Sequence, residues 1–135
     1  MSASAALQIA VIAALKADSA VAGYLGQRIY DNSPVAEVFP YVTLGPSQEL
    51  DDSAECIDGS EVFQQIDIWT QEGGSQLTAK RICGAVRKAL HGADLALAEP
   101  YALLLVEVES TSVVGDPDEK IAHGIVNVRA LVEEE

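Results

Sequence analysis

The chain has 135 residues, 49% of them hydrophobic and 5% aromatic, which predicts one domain over residues 1–135 with a mainly aliphatic core. Its 21 acidic and 8 basic residues give a formal net charge of −13 at pH 7. That field repels phosphate backbones and anionic membranes, so specific nucleic-acid binding and membrane association are excluded as main roles, and plain solubility is the alternative reading of the charge. Cys56 and Cys83 form no C-x-x-C pair, which favours two reduced thiols over a disulfide framework. The first positive charge is Lys16, and the apolar run over residues 5–15 is too short to span a bilayer. The protein is therefore expected to stay in the cytoplasm where it is made.

The first element is predicted as a helix capped by Ser4, with Leu7, Val11, Ile12 and Leu15 on its apolar side and Lys16 near its end. Asp18 or Ser19 caps a short second turn through Val21 and Ala22, with Gly23 as its stop. Ile29 and Tyr30 read as a short strand broken by Asn32-Ser33-Pro34. Residues 39–45 read as a better one, with Pro40 restricted to its start or an edge. Residues 46–60 carry Glu49, Asp51, Asp52, Glu55 and Asp58 without a single cation, so they are assigned to an exposed hairpin arm or loop.

Residues 61–70 alternate strongly, with Val62, Ile66 and Ile68 on one face and Phe63, Asp67 and Trp69 on the other. A second main helix is predicted from Ser75 to about Leu90. Its apolar stripe is Leu77, Ile82, Val86, Ala89 and Leu90, with Lys80, Arg81, Arg87 and Lys88 on the other side. Residues 102–114 and 121–132 then read as a hairpin closed by Gly115-Asp116-Pro117-Asp118, whose aspartates bond nearby amides. Leu104, Val106 and Val108 are expected to share one face of the first strand, and Val126, Val128 and Ala130 one face of the second. Residues 133–135 read as a solvated tail. The predicted class is α+β: a mostly antiparallel four- to five-stranded sheet with two main helices packed on one face.

A search for chemistry finds little. His91, after the second helix, reads as an imidazolium capping carbonyls or as a plain surface residue; with Asp94 it imitates only part of a relay. His123 reads as structural. No nucleophile elbow, EF-hand spacing or Gly-rich phosphate loop is present. Cys56 lies in the acidic stretch, which dulls it as a nucleophile, and Cys83 reads as a small packed hydrophobe. No catalytic, cofactor-binding or metal-ligating residue is assigned.

Several strings in series carry a resemblance: Arg28-Ile29-Tyr30-Asp31, Phe39-Pro40-Tyr41-Val42-Thr43-Leu44-Gly45, Ile66-Asp67-Ile68-Trp69-Thr70 and Ala85-Val86-Arg87-Lys88-Ala89-Leu90-His91, then Asp116-Pro117-Asp118, His123-Gly124 and Arg129-Ala130-Leu131-Val132-Glu133. In order and spacing the chain resembles the tail-completion, or tail-terminator, proteins of long-tailed phages and phage-derived gene transfer agents. Glu119 stands where a glycine often follows the turn in that family.

The resemblance implies a non-enzymatic subunit without cofactor. It would form a hexameric ring on the head-proximal end of the tail tube, stop tube polymerisation and join the head or neck. Implied partners are the chain itself, the major tail tube protein and a head-neck connector protein, with DNA only passing through the lumen. The implied location is the virion or gene transfer agent particle, after assembly in the bacterial cytoplasm. A closing ring needs two complementary patches per subunit. The acidic set Asp51, Asp52, Glu55 and Asp58 and the basic set Lys80, Arg81, Arg87 and Lys88 are the candidate pair. Rival readings are another connector or head-completion protein, a small cytoplasmic enzyme, or a small-ligand binding module.

Overall fold

The structure, a computed structural model, describes residues 2–34, 36–54 and 57–135. Its elements are α1 (Ala3–Ala17), α2 (Ser19–Leu25), β1 (Ile29–Tyr30), β2 (Tyr41–Asp51), β3 (Asp58–Gln71), α3 (Leu77–Leu90), β4 (Tyr101–Gly115) and β5 (Ile121–Glu134). The five strands form one sheet in the order β1-β2-β3-β5-β4. β1 pairs with β2 in parallel and every other pairing is antiparallel, so the sheet is mixed.

The period-2 pattern of β3 and β5 sets the two faces. Val62, Ile66 and Ile68 stand opposite Ala130, Val126 and Gly124, and this face is buried under the helices. Glu61, Phe63, Gln65, Asp67 and Trp69 share the other face with Leu131, Arg129, Asn127, Ile125 and His123, and no helix covers them. Gln64 breaks the apolar run on the helix side, yet it is 3% exposed. β2 has a bulge between Leu44 and Ser47, which removes the Gly45 carbonyl from the regular ladder. The Gln64 amide donates to that carbonyl at 3.1 Å and to the Gln65 carbonyl at 2.7 Å, so neither acceptor is left bare.

α1 buries Leu7, Val11 and Leu15, one below the other at four-residue spacing, as the pattern predicts. Each such burial contributes about 1.5–3 kcal/mol. Its cap is Ser2, whose hydroxyl accepts from the Ala5 amide, because the helix begins at Ala3 and Ser4 is already inside it. Asp18 caps α2 through bonds from the Ala20 and Val21 amides. α2 runs past Gly23 and stops at Gly26, whose φ of 57° only a glycine adopts cheaply. Among the described residues no single helix is long and apolar enough to cross a membrane, and α1 and α2 meet at an 83° bend.

α3 starts at Leu77, with Gln76 as N-cap, and the Ser75 hydroxyl accepts from the Leu77 amide at 3.4 Å. Its buried side chains are Ala79, Ile82, Cys83, Val86 and Leu90. Leu77, expected in the apolar stripe, is 54% exposed: at 100° per residue it stands about 140° from Ile82, on the side of the four cations. The β4–β5 hairpin forms as predicted, and its turn carries the expected bonds from the Asp118 amide to Asp116 and from the Lys120 amide to Asp118. Leu104 departs from prediction at 60% exposed, because a bulge between Leu103 and Leu105 turns it out of the face that holds Val106 and Val108. The predicted tail is also shorter than expected, since Glu133 and Glu134 belong to β5.

Burial pushes the Cys83 thiol up to about 11, and burial, then the Glu37 carboxylate, pushes the Tyr41 phenol up to about 12. Both groups hold their protons more tightly folded than unfolded. Their stabilising contribution is complete below about pH 9 and falls as pH rises through about 11 and 12. Two outcomes are expected: melting temperature declines over that alkaline window, and Cys83 resists thiol reagents at pH 8 until the chain unfolds. Rapid labelling of native Cys83 at pH 8 contradicts this packing.

Candidate functional site

The acidic residues lie at the far end of the β2–β3 hairpin. Asp51 stands opposite Ser60, and the Asp52 amide bonds the Gly59 carbonyl at 2.9 Å. The Asp51 carboxylate accepts from the Ser53 hydroxyl at 2.6 Å and from the Ser53 amide at 3.1 Å, and these bonds lower its pKa. Glu55 and Cys56 lie outside the described residues. The sequence predicts the last strand only to residue 132 and does not place it beside the acidic end. β5 brings Glu134 opposite Asp58 and Glu133 opposite Gly59, so the chain's last residues enlarge the acidic end. Like charges face each other there with no cation between them among the described ion pairs. No period-2 signal marks the extension, since residues 133–135 are all glutamate.

Lys80, Arg81, Arg87 and Lys88 are all exposed on α3. At 100° per residue they fill a sector of about 120°, on the side away from Ile82 and Val86. They amount to half of the chain's eight basic side chains. Among the described residues none of the four makes an ion pair. The acidic end instead meets the start of α1, where the Ser4 amide donates to Glu49 at 2.8 Å. The fold therefore keeps the two charged patches apart within one copy.

The uncovered sheet face holds the polar geometry that the sequence left scattered. Arg129 bridges Glu61 at 2.6 Å and Glu107 at 2.9 Å, binding β3, β5 and β4 together, and hydrogen bonds to both carboxylates raise its pKa. His123 bonds Asp67 through Nε2 at 2.7 Å and stacks on Trp69 at 4.0 Å between centroids. Asp67 also accepts from Gln65 at 2.8 Å, and Trp69 donates to Thr43 at 3.0 Å. This network pins one end of the sheet, in keeping with a structural His123. Residues 67 and 123 are 56 apart in sequence, so only the β3–β5 register reveals them as a pair.

His91 is exposed, as the surface alternative has it, but its ring does not cap the helix. Its Nδ1 accepts the Val108 amide at 3.0 Å, so the ring ties the helix end to the β4 edge rather than donating to helix carbonyls. No hydrogen bond joins it to Asp94 among the described residues. A depression of about 340 Å³ on the uncovered face is lined by Gln48, Phe63, Gln65, Ser110 and Asn127, and neither histidine takes part. Among the described residues no group of three or more His, Cys, Asp or Glu side chains is placed to hold a metal ion.

A helix-backed sheet with one bare face and two separated charge patches has the form of an assembly subunit. Residues 9–133 match the family described as Tail completion protein gp17, and the chain belongs to that family. It is a structural component of a phage-type tail and not an enzyme. Among solved structures it is similar to a chain of the "Virion of native gene transfer agent (GTA) particle", at 31% identity and a TM-score of 0.88, covering 98% of this chain and 99% of that one. No curated protein matches it significantly.

Proposed function

We propose that this protein is a tail terminator: six copies close into a ring on the head-proximal end of the tail tube, stop its polymerisation and present the joint to the head or neck. The observation that carries this reading is the family match over residues 9–133, joined to an end-to-end likeness to a component of a gene transfer agent particle. Its partners are further copies of itself, the major tail tube protein and a head-neck connector, with DNA passing through the bore. Ring closure uses a heterologous contact, in which the acidic end around Asp51, Asp52, Glu55 and Asp58 meets the α3 face of Lys80, Arg81, Arg87 and Lys88 on the next copy.

The bore must let DNA slide without sticking, so carboxylates line it. The bare sheet face suits that surface, since it carries Glu61, Asp67, Glu107 and Glu133 against Arg129. Mass measurement with electron microscopy, on the protein alone and mixed with tail tubes, tests the proposal. Hexameric rings capping one end of each tube, with an acidic lumen, are the expected result. Tubes that keep growing past bound protein contradict the terminator role, and a basic or neutral lumen contradicts the assignment of the bore.

A further inference from the structure

Two stretches of sheet edge are left open, and they match each other. β1 pairs with Val42 and Thr43, so among the described residues β2 has no neighbouring strand on its outer side over residues 46–51. At the opposite edge, β4 is met in its middle by the loop after α3: the Gly92 amide bonds the Val106 carbonyl and the Val108 amide bonds His91. Among the described residues, 110–115 have no neighbouring strand on that side. That stretch, Ser-Thr-Ser-Val-Val-Gly, contains no charge and no proline. An edge as plain as that of β4 is what folded proteins usually blunt with lysine, proline or a cover, because it recruits other strands, whereas the β2 stretch carries Pro46, Glu49 and Asp51.

The two edges are complementary on both faces of the sheet. On the helix side, β2 places Glu49 and Asp51, which stand opposite Val62 and Ser60. On the same side of β4, a groove of about 320 Å³ runs between the strand edge and α3, lined by Lys80, Cys83, Thr111, Ser112 and Val113. Arg87 lies two helical turns from Lys80 on the same side of α3. On the bare side, β2 exposes Leu50 (41%) and β4 exposes Val114 (45%). A sheet continued from one edge to the other thus sets carboxylates beside cations on one face and leucine beside valine on the other.

We infer that the sheet is continuous between neighbouring copies, residues 46–51 of β2 in one pairing antiparallel with residues 110–115 of β4 in the next; this rests on the ring reading above. Strand directions agree, since β2 and β4 run in opposite senses within the sheet. Sterics agree as well: β1 blocks the β2 edge at Val42 and Thr43, and β4 ends at Gly115.

The stagger also fits a closed ring. Gln48 is level with Glu107 through Phe63 and Arg129, so the open β4 stretch is displaced from the open β2 stretch by about five residues. That is roughly 17 Å along the strand against about 19 Å across β2, β3, β5 and β4. The resulting tilt of about 40° falls within the range of about 35–45° for closed barrels. Six such units make a barrel roughly 45–50 Å across at the backbone, with the helices outside and the bare face toward the bore.

Engineered disulfides in the full chain test this. In a Cys56→Ser background, Gln48→Cys is combined with Ser112→Cys or with Val114→Cys, so that a register shift of two is covered, and the samples are oxidised alone and on tail tubes. A ladder of linked multimers ending at the hexamer is expected from at least one pair and from none of the three parents with one introduced cysteine, in which Cys83 stays buried. Val114→Lys, at an exposed position, is expected to abolish rings while leaving the melting temperature unchanged. Rings that form without a ladder from either pair, or that survive Val114→Lys, overturn the continuous sheet and leave the terminator reading standing. A ladder in open chains without rings overturns the ring and leaves the strand pairing. No self-association under any condition overturns both.

Discussion

Reversing two charges on α3, Arg81→Glu with Arg87→Glu, is expected to convert rings into folded monomers. Both side chains are exposed and make no ion pair among the described residues, so their replacement has little to break inside the subunit. Surface changes of that kind usually shift stability by no more than about 0.5 kcal/mol. Across the proposed contact the effect is larger, because attraction becomes repulsion against Asp51, Asp52 and Asp58. Close interfacial charge pairs couple by about 1.5–7 kcal/mol. Even about 2 kcal/mol weakens each contact roughly thirtyfold, and a ring needs all its contacts at once. Wild-type rings should also loosen with salt, since the screening length falls from about 8 Å at physiological ionic strength to about 3 Å at 1 M. Analytical ultracentrifugation at low and high salt, with circular dichroism as a folding control, is the measurement. Rings that persist in the double variant at both salt levels refute the charge-paired contact.

The second large effect is inside the subunit. Gly124→Ala is expected to destabilise the fold by about 2 kcal/mol, as overpacking of a filled core does. Gly124 stands on β5 opposite Ile68, directly beneath α3. A Cβ there would lie 2.9 Å from Cys83 Sγ, closer than real Cβ atoms come, and 3.2 Å from Ile68 Cβ, a tight contact. The helix must then lift from the sheet, and Ile82, Val86 and Leu90, all fully buried, lose contacts with it. The melting temperature should fall by about 8 °C for a chain of this size. Cys83→Ala removes the nearest obstacle, so in the Gly124→Ala background it should restore part of the loss. Thermal denaturation of the two single variants and the double variant gives the coupling. Simple additivity of the two single effects rejects the close approach, because residues in contact typically couple by about 0.5 kcal/mol or more.

Much of the fold was legible in the chain. The four-residue spacing of Leu7, Val11 and Leu15 marks α1, and the alternation from Val62 to Thr70 marks β3 and its two faces. Asp116-Pro117-Asp118 marks the last turn. These signals are local: helix and strand periods, caps and turn residues act within a few positions. Errors arose where a distant partner decided the outcome. Leu104 follows the strand pattern, but its exposure is set by how β4 matches β5 around a bulge. Leu77 is a different case: at 100° per residue it stands about 140° from Ile82, so the helical period itself turns it away from the sheet. His91 was read as a helix cap because the amide of Val108, 17 residues on, is invisible from its neighbourhood.

The same division holds for the surfaces on which assembly is proposed. By itself the sequence determined the chain's acidity, the acid-only stretch over residues 46–60, the four cations on one side of α3, and the series of strings that resembles the tail-completion family. Composition and periodicity are properties of the chain and survive without a fold. Only the tertiary structure decided that Glu133 and Glu134 join the acidic end, that His123 meets Asp67, and that β2 and β4 are left with matching open edges. Those facts depend on strand order and register, which are fixed by burying one face of the sheet under α1 and α3: a shift of one residue would turn every buried side chain to water.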